Sequence, residues 1–135
     1  MALANGIRGV RFERSGGLFF LVLGGEVALD GPTPGITTEA GVRAVSAADR
    51  AVFAGIDVAR ARTAAMPLAP AGADTYQWDV ILMMADGTAV TIRWHAHAAL
   101  DPTAETIVPG IAGLAAWVGR EVDRIWTNRT GAPRP

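Results

Sequence analysis

The stretch Tyr76–Ala96, YQWDVILMMADGTAVTIRWHA, decides the fold. Apolar residues recur at every second position on both sides of the Asp86-Gly87 dipeptide, which favours a tight turn between antiparallel strands. The sequence therefore predicts a β-hairpin. The alternating set of the first strand is expected to face the helices and the core: Tyr76, Trp78, Val80, Leu82 and Met84. The alternating set of the second strand is Thr88, Val90, Ile92, Trp94 and Ala96, and Trp94 is expected to be a core residue as well. The opposite face mixes Gln77 and Asp79 with apolar residues, so it is only partly polar.

A second pair of strands is predicted near the N-terminus. Ile7–Glu13 alternates imperfectly between apolar and polar residues, and Gly9 marks a candidate bulge. Beyond the glycine pair Gly16-Gly17, the stretch Leu18–Leu29 has the composition of a long strand, kinked at a second glycine pair. The proline and glycine residues of 30–35 end it.

Helical spacing of apolar residues starts at Thr37 or Thr38 and continues to Gly55. This spacing predicts one helix. Ser46 and Asp49, however, have the spacing of a capping box, which leaves open a division into two short helices.

A closing helix is predicted after Pro109. Its apolar stripe consists of Ile111, Leu114, Val118, Val122 and Ile125. We expect this helix to end around Trp126 and the tail 127–135 to be frayed. Residues 57–73 are rich in alanine, proline and arginine without steady periodicity, and they are expected to form a loop.

These elements predict an α+β fold in a single domain. The 135 residues, half of them apolar, are enough for one hydrophobic core, with an ordered part at about 7–126. We expect a two-layer sandwich of about four mostly antiparallel strands, with two or three helices packed on one face of the sheet. The other face would meet solvent or a partner.

Composition excludes several functional classes. All 12 basic residues are arginine, they are scattered, and the net charge is −1, so no basic face for nucleic acid is predicted. The absence of cysteine excludes disulfides and cysteine-based zinc sites. No apolar run reaches the ~18 residues of a spanning helix, and the N-terminus lacks a signal-peptide pattern. We expect a cytoplasmic protein without membrane contact.

Residues with catalytic potential are few. His95 and His97 lie two apart on a predicted strand, so both imidazoles share a face and could hold a metal if a third ligand joined them. Surface histidines are the better interpretation. Ser15 has no G-x-S-x-G context, while Glu121 and Asp123 do not share a helix face. We therefore predict no enzyme, no cofactor and no metal.

Four motifs, in their order and spacing, resemble the emfourin family of proteinaceous metallopeptidase inhibitors. They are VRFERSGG (Val10–Gly17), AADRAVF (Ala47–Phe53), GADTYQWDV (Gly72–Val80) and the Asp86-Gly87 turn, followed by the closing amphipathic helix. The resemblance spans about Ile7 to Ile125. The chain departs from the family pattern after Gly17, where a phenylalanine, a small residue and another glycine are expected and LFFL stands instead.

The resemblance implies an inhibitor of a thermolysin-like zinc metallopeptidase, such as protealysin, that occupies the active-site cleft through the segment Arg14–Leu21. The implied partner-binding residues are Arg14, Ser15, Gly16, Gly17, Leu18 and Phe19, with Asp74 as possible support. Other interpretations stay open. The segment could be a buried hairpin turn, and Asp74 could serve nearby backbone amides. The protein could instead be a non-catalytic interaction or ligand-binding module that uses the half-polar sheet face, or a small metal-binding enzyme that uses the two histidines.

Overall fold

The computed structural model describes residues 2–16, 21–64, 76–96, 100 and 102–131. Within these residues the chain forms six strands and four helices. The strands are β1 (Ile7–Gly16), β2 (Leu23–Ala28), β3 (Gly35–Thr38), β4 (Gly41–Arg43), β5 (Tyr76–Met84) and β6 (Ala89–Ala96). The helices are α1 (Ala47–Ala54), α2 (Val58–Thr63), α3 (Ala104–Ile107) and α4 (Ile111–Thr130).

All six strands join one antiparallel sheet in the order β4-β3-β2-β1-β5-β6. The α+β class is therefore confirmed. The sheet has six strands where about four were expected, and the described chain has four helices where two or three were expected. The long strand β1 lies in the interior of the sheet, between β2 and β5. This position makes β1 the strand through which the two hairpins are joined.

The core lies between one face of the sheet and the helices. Strand β1 sends alternate side chains such as Val10 and Phe12 into it, and the predicted apolar stripe of α4 is buried as expected. Trp117 of α4 packs edge-on against Phe12 of β1 and Phe53 of α1, with ring centroids 5.2 and 4.9 Å apart. These contacts connect the sheet, α1 and α4 in one hydrophobic cluster.

The two predicted hairpins differ in how closely the structure follows them. The 76–96 hairpin is confirmed, with the predicted apolar set facing the core. The register of β1 against β5 shifts between Ile7 and Gly9, so the predicted bulge is also confirmed. The second strand is shorter than expected because β2 begins only at Leu23, and Gly24 and Gly25 lie inside it instead of interrupting it. The predicted strand residues 18–20 lie outside the described part of the chain.

The helix predicted from Thr37 or Thr38 is wrong in its first half. Residues 35–43 form the hairpin of β3 and β4, whose turn requires Gly41 at φ +121°. The side chain of Val42 is 72% exposed, so it belongs to no buried helical stripe. The helix begins at Ala47, and the capping box is present: the backbone amide of Asp49 donates to Ser46 Oγ, and Asp49 accepts in return from the backbone of Ser46.

Two further helical segments were not predicted. Asp57 caps α2, whose Arg60 amide donates to Asp57 Oδ1, so the expected loop is wrong over 58–63. Helix α3 is also additional. The last helix α4 continues beyond Trp126 to Thr130, which corrects the expectation of a frayed tail for 127–130. In the described residues, no helix is long and apolar enough to cross a bilayer.

Candidate functional site

The predicted partner-binding segment connects the central strand β1 to β2. Arg14, Ser15 and Gly16 are the last residues of β1, and Arg14 pairs with Leu23 of β2. Three of the predicted contact residues, Gly17, Leu18 and Phe19, lie outside the described residues. The structure therefore defines the base of this connection.

Arg14 lies on the helix-covered face of the sheet and is only 2% exposed. Its guanidinium carbon is 4.0 Å from the centroid of the Tyr76 ring, a cation–π contact between neighbouring strands. The resemblance implies a surface contact for this residue. In the structure its side chain supports the β1–β2 connection from the core side instead.

Aromatic rings continue this support across the sheet. The ring of Tyr76 meets that of Trp78 edge-on at 6.4 Å, and Trp78 stacks on Trp94 with centroids 6.1 Å apart and an interplanar angle of 5°. Both tryptophans are buried, which confirms the core prediction. The end of β1 is consequently fixed by large side chains from both β5 and β6.

Ser15 and Gly16 complete the described part of the segment. Gly16 has φ +79°, a conformation that favours glycine, so another residue at this last position of β1 would be strained. Ser15 lies in register with Gln77, and Gln77 with His95, on the sheet face opposite the helices. His97 and Asp74 lie outside the described residues. In the part of the chain that the structure describes, no group of three or more metal-ligating side chains comes together.

The sheet face opposite the helices, which we call the open face, contains a depression of about 730 Å³. Two ion pairs lie along it. Arg11 Nε donates to Glu26 Oε1 at 3.2 Å, and Arg93 Nε donates to Asp79 Oδ1 at 2.6 Å. Gln77 Nε2 donates to the second oxygen of Asp79 at 2.7 Å. These contacts pair most of the charged side chains along the depression with a partner of opposite charge.

A polar network that was not predicted joins the edge of the sheet to the helices. Arg43 of β4 forms ion pairs with Asp49 of α1 and Glu121 of α4, and Trp117 Nε1 donates to Asp49 Oδ1 at 2.9 Å. Asp49 and Glu121 are only 6% and 3% exposed. Burial would raise the pKa of Asp49, but hydrogen bonds from Arg43, Ser46 and Trp117 outweigh it and hold the pKa well below its usual range.

The sequence contained a signal for part of this network. Glu121 follows Leu114 by seven residues and Val118 by three, so it lies on the apolar stripe of the predicted helix. An acid at that position predicts a buried partner, because an unpaired buried carboxylate is costly.

Comparison with protein-family models, curated proteins and solved structures finds no match.

Proposed function

We propose that this protein inhibits a thermolysin-like zinc metallopeptidase by presenting the segment Arg14–Leu21, which begins at the end of β1 and leads into the β1–β2 connection, to the active-site cleft. The observation that carries the proposal is the support of that connection at its base. Arg14 packs on Tyr76, and the stacked rings of Trp78 and Trp94 lie next to them.

This support matters because an inhibitor that binds as a substrate does must limit the entropy lost on binding. The segment starts from β1, an interior strand of the sheet. Near Arg14, β1 pairs in continuous register with β2 on one side and β5 on the other, so the start of the segment is anchored. Such pre-organisation raises affinity without additional contacts.

The chemistry of the segment fits the same proposal. Thermolysin-like enzymes take bulky apolar side chains, and the segment offers Leu18 and Phe19 for an apolar pocket. Gly16, with its positive φ, lets the backbone turn where a side chain would be strained. Arg14 acts as a positioning residue from the core side.

The test is inhibition of peptide hydrolysis by a panel of thermolysin-like enzymes, measured with purified protein at micromolar concentration. We expect inhibition by the native protein and at least about tenfold weaker inhibition by Leu18→Asp or Phe19→Asp, with unchanged thermal stability. Val42→Asp is the matched control, because Val42 is an exposed apolar residue on the far edge strand β4.

Two results would contradict the proposal. The first is undiminished hydrolysis by every enzyme of the panel in the presence of the native protein. The second is loss of folded structure in both Leu18→Asp and Phe19→Asp, which would show that these side chains belong to the core and not to a binding surface.

A further inference from the structure

The depression on the open face lies beside the glycine pair of β2. Gly24 and Gly25 of β2 line it, together with Val22 and Ile81. A Cβ atom at Gly24 would lie 2.4 Å from the Phe12 carbonyl oxygen, so glycine is required there for packing. The consequence on the open face is room for a side chain from another molecule.

The charges around the depression do not balance. Arg11 is paired with Glu26, and Arg93 with Asp79. Glu13 also lines the depression and is exposed, and its carboxylate makes no hydrogen bond or ion pair with any described residue. Among the described residues that line the depression, the carboxylates therefore outnumber the arginines by one.

The position of Glu13 makes this excess unfavourable for the free protein. Glu13 is in register with Gly24 on one side and with Asp79 on the other. Directly opposed residues on one sheet face have Cβ atoms about 5 Å apart, and like charges in such pairs are destabilising. On the Gly24 side, no side chain separates Glu13 from the space of the depression.

We propose that the depression binds an arginine or lysine side chain of an extended segment of a partner protein, with Glu13 as the carboxylate that receives the cation. Charge complementarity supports this occupant, because one added cation neutralises the excess carboxylate and relieves its repulsion with Asp79. A guanidinium can donate to two carboxylate oxygens at once, which favours arginine.

Apolar residues on either side of the acid indicate what should flank the basic residue. The side chain of Val22 is 53% exposed on the β2 side, and Ile81 is half-buried on the β5 side. In an extended peptide, residues two apart point to the same side about 7 Å from each other. A segment with an apolar residue two positions before and after the arginine therefore matches the face.

The test is an NMR titration of the native protein with the peptide acetyl-Leu-Ser-Arg-Ser-Leu-amide. A second titration uses the same peptide with citrulline, an uncharged isostere, in place of arginine. We expect saturable shifts at the amides of Gly24, Gly25 and Ile81, and about two- to fivefold weaker binding of the citrulline peptide.

Variants of the protein sharpen the result. Glu13→Gln should weaken binding of the arginine peptide by the same factor. Its affinity for the citrulline peptide should equal that of the native protein. Asp86→Asn is the control, because it removes one negative charge at the β5–β6 turn, outside the depression. Its binding should equal that of the native protein.

Several outcomes would overturn the proposal. Equal affinity for the two peptides would show that no cation is recognised, and this comparison needs no variant to fold. Calcium ions that cause the same shifts with the same dependence on Glu13 would indicate a general cation site. Shifts of these amides with protein concentration alone would assign the face to a second copy of the chain.

Discussion

The substitution Asp49→Asn tests the buried network that joins the sheet edge to the helices. Asparagine keeps the size of the side chain but replaces one acceptor oxygen by an NH2 group. If the remaining oxygen serves Ser46 and Arg43, the NH2 group faces the indole N–H of Trp117, which is buried. An unsatisfied buried donor costs about 2 kcal/mol, and the weakened charge-assisted bond to Arg43 about 1 more. We expect a loss of about 3 kcal/mol.

Urea denaturation followed by circular dichroism measures this loss. With an m-value of about 1.5 kcal/mol/M, the midpoint should fall by about 2 M. The matched control is Asp57→Asn at the N-cap of α2, where asparagine caps as well as aspartate and the change should stay within about 0.5 kcal/mol. A loss below about 1 kcal/mol for Asp49→Asn at pH 7 would refute the hydrogen-bond argument.

The pH dependence gives a second, independent check on Asp49. Its folded-state pKa is lowered, so its contribution to stability is present above the unfolded pKa of about 3.9 and is lost as the pH falls towards the folded value. The difference in the free energy of unfolding between the native protein and Asp49→Asn should therefore become smaller below about pH 4, by at most about 1.4 kcal/mol per pH unit. An equal difference at pH 7 and pH 3 would contradict this.

Three other perturbations have expected outcomes. Gly110→Ala should abolish stable folding in a thermal melt, because Gly110 has φ +94° and an added Cβ would lie 2.2 Å from the carbonyl oxygen of Gly55; a near-native melting temperature would contradict this. Glu105→Gln should lower the melting temperature at pH 7, because its carboxylate accepts two amides at the start of α4 that also lower its pKa. The stability from this lowered pKa is lost as pH falls, so the deficit should shrink by pH 3, and a constant deficit would argue against it. Glu13→Gln should raise the urea midpoint by relieving repulsion with Asp79, and a lower midpoint would show that Glu13 stabilises the free protein.

The central hairpin and the last helix were predictable because one periodicity runs through each of them without interruption. In β5 and β6 the apolar residues recur every second position, and in α4 the buried positions recur every three or four. Burial of one face imposes these periods, so the sequence alone reveals them. The C-terminal end of α4 was harder to predict. The helix ends at Gly131, which has φ +73°, and not at Trp126.

The hairpin of β3 and β4 was missed because its short strands carry too few residues to establish a period. Val42 fits a helical stripe by spacing, but its side chain is exposed on an edge strand. The β-branched residues Ile36, Thr37 and Thr38 and the turn glycine Gly41 were the local evidence for strands. Here pairing with β2 decides the conformation, and that contact is not visible in a local pattern.

The alternation of β1 predicts a buried position for Arg14, whereas the family resemblance implies a surface contact. Arg14 continues the two-residue period of Val10 and Phe12, so it must lie on the same buried face of β1. A charged residue at a core position requires a partner, and Tyr76 lies at the start of the neighbouring strand. Because side chains alternate along a strand, Arg14 lies on the core face and the next residue, Ser15, lies on the open face.

The glycine pair of β2 shows why the two faces of this sheet cannot be understood separately. A Cβ at Gly25 would lie 2.9 Å from the Phe12 ring, which packs on Trp117, so glycine is needed for the core. The neighbouring Gly24 leaves the open face without a side chain beside Glu13. Because glycine weakens strands, the sequence alone predicts a kink at this pair. In the structure the same two residues seat an aromatic ring on one face and leave the depression open on the other, so the space that we propose for a cationic side chain follows from the packing of the core.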